Sequence, residues 1–176
     1  MTESRIDNKN RQNEKKRSKK DRILTTGIII VVVFLLGFNI FNYYWAKIVL
    51  PGRNFEEVYG IDPVSGRDSV VKFQEGKVIV NFWATWCNSC VKELTVFESF
   101  SRKTKVVGVL KKPFNSRNFS SLRISYRNII ATDTVFEEMF ISVLPTTLLL
   151  QDGIIKKVHT GPVSEEILRN WLASDE

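Results

Sequence analysis

The amino-acid sequence predicts an α/β domain, a mixed central sheet flanked by helices, preceded by one N-terminal transmembrane helix. Three observations predict this arrangement: a long uncharged stretch near the start, short apolar runs that alternate with segments of helical periodicity, and an Asp-Gly turn between two strand-like runs near the end. The 176 residues are 43% hydrophobic and 26% charged, which suffices for one core and excludes a disordered or collagen-like chain.

Residues 23–46 are the predicted anchor, because they contain no charged side chain. A helix of this length rises roughly 36 Å, which is enough to cross a hydrocarbon core of ~30 Å. Tyr43, Tyr44 and Trp45 stand at its end, where aromatic rings favour the headgroup region. A buried core helix and a cleavable signal peptide are the alternatives. The length of the stretch and the lack of an A-x-A-like cleavage site favour an uncleaved span through the lipid bilayer.

The flanking charges predict the direction of insertion. Residues 1–22 hold nine Lys or Arg against four acidic residues, whereas residues 47–66 contain only Lys47 and Arg53 as basic residues. The positive-inside rule then puts the N-terminus in the cytoplasm and the C-terminal domain in the periplasm or extracytoplasmic space, on a single-pass protein of the cytoplasmic membrane. We interpret residues 1–22 as a disordered basic tail that sets topology, not as an arm for nucleic acid.

Residues 47–68 are interpreted as a linker because turn signals interrupt them, and residues 69–176 as the folded domain, entered through a hairpin that ends at 69–73. The further elements follow from apolar periodicity and capping residues. They are strands at 78–83, 105–110, 128–131, 146–150 and 154–159, and helices at 89–100, 116–126, 134–140 (capped by Asp133) and 163–173 (capped by Ser164).

The two cysteines, Cys87 and Cys90, come directly after a predicted buried strand and open a predicted helix. Unpaired N–H groups and the positive end of the helix dipole stabilise a thiolate at that position. The i, i+3 spacing puts the second sulfur on the same helical edge. We therefore predict that Cys87 is the attacking nucleophile and that the more buried Cys90 resolves the mixed disulfide.

Other uses of a cysteine pair fit less well. A structural zinc site needs about four ligands, and the chain offers no third cysteine and only one histidine, His159. Haem attachment requires a histidine after Cys90, where Val91 stands. An inert structural disulfide gains little from closing so short a loop. We expect no metal and no cofactor other than the redox-active Cys87–Cys90 disulfide.

The segment 81–90, with the letters NFWATWCNSC, and the later LPTT at 144–147 resemble the thioredoxin superfamily. More narrowly, they are similar to the membrane-anchored TlpA/ResA/CcmG-like thiol–disulfide oxidoreductases. The resemblance covers roughly residues 69–173 and implies a thioredoxin-like fold.

The resemblance also implies roles for individual residues. Pro145 would be a cis-proline opposite the cysteines, Leu144 would bind a substrate peptide through its backbone, and Trp86 would flank the nucleophile. Asn81 stands where thioredoxins have a buried acid that aids proton transfer from the second cysteine. Glu93 stands where that branch often has a glutamate, whose charge would raise a thiol pKa. The alternatives are ordinary packing for Trp86, a strand-entry role for Pro145 and an exposed helix position for Glu93.

The predicted function is that of a membrane-tethered thiol–disulfide oxidoreductase that reduces disulfides of exported proteins and is re-reduced by a thiol-type membrane electron donor. The resemblance suggests apocytochrome c as one substrate class, in cytochrome c maturation. Asn88-Ser89 lacks the proline that reducing relatives often carry between the cysteines, so a thiol oxidase or isomerase stays open. So does a redox-inactive module that binds peptides or copper. The basic segment 111–127 is either a solvated face or a selector of acidic partners, and His159 has no predicted role.

Overall fold

The computed structural model describes the chain from Glu3 to Ser174, with side chains described from Leu24 onward except at Asn42 and Tyr43. The chain divides into two compact units, residues 1–41 and residues 42–176. Residues 175 and 176, which end the predicted domain, lie outside the described residues.

The first element is one long helix, α1, Glu3–Val49. The disorder predicted for residues 1–22 is therefore not what the structure describes, apart from Met1 and Thr2, which lie outside the described residues. Lys, Arg, Glu and Gln are good helix formers, and extending an existing helix avoids the cost of nucleation. The segment Leu24–Phe41 is long and apolar enough to cross a membrane, and none of it is buried against the rest of the protein. That exposure excludes the alternative of a buried core helix.

The remaining elements form a seven-stranded sheet with four further helices. The strands are β1 (Glu57–Ile61), β2 (Asp68–Lys72), β3 (Lys77–Trp83), β4 (Lys105–Leu110), β5 (Arg127–Ala131), β6 (Thr146–Gln151) and β7 (Ile154–Thr160). The helices are α2 (Asn88–Ser101), α3 (Ser116–Ser121), α4 (Asp133–Glu138) and α5 (Glu165–Ala173). The strand order is β2-β1-β5-β4-β3-β6-β7. Strands β3, β4 and β5 are parallel, and all other pairs are antiparallel, so the sheet is mixed as predicted.

The predicted linker at 47–68 is wrong. Strand β1 lies within it and pairs with both β2 and β5. The end of α1 also belongs to the folded unit, because Ala46 in its last turn and Leu50 directly after it are buried in the core. Turn residues punctuate this segment in the sequence, but Phe55 and Val58 between them are buried, and that burial outweighs the turn signals.

Two apolar cores cover the two faces of the sheet. On one face, Val80 and Phe82 pack with Leu50, which directly follows α1, and with Phe136 of α4. On the other face, alternate strand residues pack against α2 and α5 together with both cysteines. This alternation along β3 is what a strand covered on both sides requires.

Two helices end or begin differently from the prediction. The helix predicted at 116–126 stops at Ser121, because Leu122 turns to an extended conformation and the Glu98 carboxylate accepts the N–H of Ser125 at 2.9 Å. Helix α4 has Thr132, not Asp133, at its N-cap, and it ends before Phe140, whose φ is 50°. The Asp152-Gly153 turn has positive φ at both residues, as a type I′ hairpin requires.

Candidate active site

The loop after β3 delivers Cys87 to the N-terminus of α2. Strand β3 ends at Trp83, and the turn closes when the Cys87 N–H donates to the Ala84 carbonyl at 3.1 Å. Cys87 is the N-cap residue of α2, with extended backbone angles. The sequence prediction of a cysteine at a helix start after a buried strand is confirmed.

The sulfur of Cys87 lies among hydrogen-bond donors. It accepts the backbone N–H of Cys90 at 3.3 Å and lies 3.3 Å from the Ser89 hydroxyl oxygen. After reduction, a thiolate at this position would keep both donors and face the positive end of the α2 dipole. These contacts favour ionisation of Cys87 in particular.

Cys90 is the less accessible partner. The two sulfurs form a disulfide with an S–S distance of 2.07 Å. Cys90 is fully buried, whereas Cys87 keeps 9% of its surface exposed. An incoming substrate sulfur therefore meets Cys87 first, which agrees with the predicted order of attack and resolution.

The residues predicted to bind substrate are Trp86, Leu144 and Pro145. Trp86 is 53% exposed beside the nucleophile, so ordinary core packing does not describe it. The Leu144–Pro145 peptide is cis, as the resemblance implies. Leu144 is half-buried and packs against the core that contains both cysteines. The carbonyl of the buried Pro145 accepts the N–H of Gly161 at 2.8 Å.

Glu93 lies inside the protein, one helical turn after Cys90. It is only 3% exposed, so the alternative of a solvent-facing helix residue is wrong. Its Oε2 accepts the N–H of Val163 at 2.8 Å, and its Oε1 has no hydrogen-bond partner. Burial raises the pKa of Glu93 to about 7, while the bond from Val163 and the nearby amide of Asn81 act in the opposite direction. Glu93 can thus change its charge near neutral pH.

Asn81 lies in the middle of β3 and is fully buried. In the ladder it is opposite Thr147 of β6, so both side chains point to the face covered by α2. Neither polar atom of the Asn81 amide has a partner of good hydrogen-bond geometry, and the Thr147 hydroxyl has none either. Because buried polar groups are nearly always satisfied, such a group of unpaired atoms beside a titrating carboxyl is typical of a functional interior.

A second buried contact fixes the strand that carries the cysteine loop. The Trp83 indole N–H donates to the Asn128 side-chain oxygen at 3.1 Å, and this bond crosses over β4 at Gly108. A Cβ at Gly108 would overlap that oxygen and crowd the indole nitrogen. Because Gly108 has no side chain, the Trp83–Asn128 hydrogen bond can link β3 to β5 across the face of β4.

The basic segment 111–127 does not form one uniform free surface. Arg127 pairs with Asp62 at 3.1 Å, and the Lys111 ammonium lies 4.9 Å from the centre of the Phe136 ring. Within the residues that the structure describes, no group of three or more His, Cys, Asp or Glu side chains could hold a metal ion.

Comparison with known proteins decides the family. The thioredoxin family model matches residues 65–174. The chain belongs to the thioredoxin family. This match confirms the predicted fold, and the Cys87–Cys90 pair stands at the start of helix α2 in that fold.

Two curated relatives of this thioredoxin-family chain are named as oxidoreductases. Thiol-disulfide oxidoreductase ResA of Bacillus subtilis (strain 168) is 27% identical over 89% of this chain and 94% of the relative. A protein of the same name from Bacillus cereus is 31% identical over 88% of this chain and 96% of the relative. The prediction of a thiol–disulfide oxidoreductase is therefore confirmed.

Solved structures share the thioredoxin fold of the chain. StoA from Bacillus subtilis superposes with a TM-score of 0.56 at 24% identity, covering 67% of this chain and 97% of that one. A putative thiol:disulfide interchange protein DsbE from Chlorobium tepidum gives 0.61 at 17% identity, covering 69% and 94%.

Sequence reasoning missed two residues of this thioredoxin-family site. Ser89 touches the Cys87 sulfur, and its position two residues after the N-cap could have indicated this contact. His159 lies on β7 opposite Thr147, and only the sheet register brings it near the site.

Proposed function

We propose that this thioredoxin-family protein is a reductant, tethered by residues 23–46 to the cytoplasmic membrane, with its catalytic domain outside the cytoplasm. Nine basic residues before the apolar stretch and few after it support that orientation. The substrate class that we propose is disulfide-bonded exported protein, including the cysteine pairs of apocytochrome c. Within the protein, the sulfurs of Cys87 and Cys90 carry the electrons, without a further cofactor.

The reaction follows from the exposure of the sulfurs. The Cys87 thiolate attacks one sulfur of the substrate disulfide, forms a mixed disulfide and releases a substrate thiolate. The Cys90 thiolate then attacks the Cys87 sulfur, which restores the Cys87–Cys90 disulfide and releases the second substrate thiolate. Two electrons pass to the substrate, and a dithiol donor in the membrane must return them by the reverse exchange.

The burial of Glu93 carries the proposed direction of electron flow. An ionised carboxylate one turn from Cys90 disfavours a negative charge on the Cys90 sulfur, so the reduced pair gains less stabilisation from ionising its second thiol. Strong oxidants of this fold work the opposite way, because their reduced form is stabilised. The pair in this chain should therefore donate electrons readily.

Two further roles are proposed for the interior. Glu93, helped by Asn81, exchanges a proton with Cys90 as the resolving thiol ionises, since its pKa near 7 matches the task. Trp86, Leu144 and Pro145 hold the substrate segment beside Cys87. The half-buried Leu144 and the exposed Trp86 leave an apolar surface for it.

The reduction potential of the Cys87–Cys90 couple tests the direction. The full chain in detergent micelles is the proper sample, because a fragment beginning at Lys47 would remove Ala46 from the core. Equilibration with a thiol redox buffer should give a value at or below about −250 mV, towards thioredoxin at ~−270 mV. A value near ~−120 mV would reverse the direction and make the protein an oxidase.

Cysteine variants test the order of attack. Cys90→Ala should accumulate a mixed disulfide with substrate proteins in membranes, and the trapped partners identify the substrates. Cys87→Ala, the matched control, should trap almost none and should lose reductase turnover by at least about 10³-fold, since no accessible nucleophile is left. Equal trapping by both variants would contradict the assigned roles.

A further inference from the structure

His159 and Glu93 contact the two ends of one peptide group. His159 Nε2 lies 3.1 Å from the Pro162 carbonyl oxygen. The N–H of the same peptide unit, that of Val163, donates to Glu93 Oε2 at 2.8 Å. Since a carbonyl oxygen can only accept, His159 Nε2 carries the proton in this bond. One peptide plane thus joins a half-buried imidazole to the buried carboxyl beside the cysteines.

The segment that holds this peptide is fixed on its other side as well. Gly161, with φ of 94°, donates its N–H to the carbonyl of Pro145. The segment 160–163 is therefore attached to the substrate-binding proline, to β7 and to Glu93. A shift of this segment would move the Val163 N–H, which among the described residues is the donor whose bond to the Glu93 carboxylate has good hydrogen-bond geometry.

We propose that His159 is a positioning residue of the redox reaction: its Nε2–H fixes the Pro162–Val163 peptide so that the Val163 N–H points at Glu93. It thereby sets the pH range in which Glu93 is charged beside Cys90. This inference rests on the role proposed above for Glu93. It assigns His159 an action through the peptide, without contact with substrate or sulfur.

Hydrogen-bond polarisation gives the sign of the effect. A donor on the Pro162 carbonyl draws electron density from the peptide and makes its N–H a better donor to a carboxylate. Loss of the His159 donor weakens the hydrogen bond from the Val163 N–H to ionised Glu93. The pKa of Glu93 should therefore rise further above its ordinary range.

The imidazole acts here chiefly as a neutral donor. Burial lowers the pKa of His159 below its usual 6.5, and the charge of Lys47 on α1 acts in the same direction, while the bond to Pro162 opposes them. His159 is therefore mostly uncharged where Glu93 titrates. Lys92 lines the same pocket as Glu93, and burial together with the charge of Glu93 raises the pKa of Tyr126, the residue just before β5. Neither group bonds to the bridging peptide.

The test compares His159→Phe with His159→Gln in the full chain in detergent. Phe removes the donor, whereas Gln keeps an N–H that reaches Pro162 and cannot titrate. The carboxylic-acid C=O infrared band of Glu93, assigned by subtracting the spectrum of Glu93→Gln, gives the midpoint of its titration. We expect His159→Phe to raise that midpoint by several tenths of a pH unit, roughly 0.5, because polarisation strengthens a neighbouring hydrogen bond by about 10–30% and the Val163–Glu93 bond is charge-assisted. His159→Gln should stay within about a third of that change.

The outcomes separate the two proposals. An unchanged midpoint in His159→Phe would overturn the role of His159 while leaving Glu93 in place. Equal upward shifts in Phe and Gln would also overturn it, because the retained donor should matter. If Glu93→Gln leaves the pH profile of reductase turnover unchanged, the proposed role of Glu93 fails instead. Should His159→Phe not fold, His159→Thr suits the strand, cannot reach Pro162 and must show the same upward shift.

Discussion

Cys87 caps helix α2 and Glu93 lies within it, and the surroundings of these two residues differ in how their polar atoms are satisfied. The Cys87 sulfur has two donors from its own helix, both within three residues in the sequence. The donor to Glu93 comes from 70 residues away, and one of its oxygens has none. The surroundings of Cys87 are built by residues close to it in sequence and can hold a negative charge. The surroundings of Glu93 depend on tertiary contacts and disfavour a negative charge.

The two surroundings favour two different steps of thiol–disulfide exchange. The exposed sulfur needs a stable thiolate at rest in order to attack. The buried sulfur should stay protonated until the mixed disulfide forms, and an adjacent group of pKa about 7 can then take its proton. The predictions below change one region while leaving the other intact.

The largest effect is expected from Glu93→Gln on the pH dependence of stability. The pKa of Glu93 is about 7 in the folded protein and near its ordinary 4.5 when unfolded. The folded state therefore binds the proton more tightly, and the stability from this group is fully present below pH 4.5 and lost as pH rises through about 7. The free energy of unfolding should fall by about 3 kcal/mol between those two pH values because of this group. Glu93→Gln should abolish that slope.

Tryptophan-fluorescence melting of the full chain in detergent, from pH 4.5 to 8, measures this slope. Glu166→Gln on α5 is the matched control, because that side chain is exposed and should leave the slope as it is in the parent chain. Parallel curves for the parent and Glu93→Gln would contradict a buried titrating carboxyl.

The sequence predicts the first region well and the second poorly, for a physical reason. The position of Cys87 follows from a strand, a turn and a helix start, which are local features. The burial of Glu93 depends on how Val163 approaches from beyond β7, and a glutamate in a helix is ordinarily expected to face solvent. The same limit explains α3, which ends early because Glu98 of another helix binds Ser125. It also explains β1, whose partner β5 lies about seventy residues further along the chain.

An intermediate effect is expected from Asn81→Leu. Both polar atoms of the Asn81 amide are buried without good partners, and Leu has a similar volume without their desolvation cost. The free energy of unfolding should stay the same or rise by about 1 kcal/mol. Since Asn81 lowers the pKa of Glu93, the midpoint of Glu93 should move upward. Melting temperature and the Glu93 infrared band measure the two effects separately.

Asn81→Asp is the counterpart of that variant. It puts a second carboxyl beside Glu93, so one of the two must stay protonated and stability should fall as pH rises above neutral. A loss of more than about 1 kcal/mol in Asn81→Leu would mean that the amide is well paired in solution and contributes to stability.

The smallest effect is expected from Ser89→Ala, which changes only the region of Cys87. The Ser89 hydroxyl is one of two donors near the Cys87 sulfur, and the N–H of Cys90 remains after its removal. The pKa of the reduced Cys87 thiol should rise by several tenths of a unit, roughly 0.5, because one neutral hydrogen bond to the thiolate is lost. Alkylation rates of the reduced protein against pH give this pKa, and Ser89→Thr, which keeps the hydroxyl, should match the parent chain. If the pH dependence of Glu93 also moved in Ser89→Ala, the two regions would be electrostatically coupled, and the assignment of separate tasks to the two sulfurs would have to be given up.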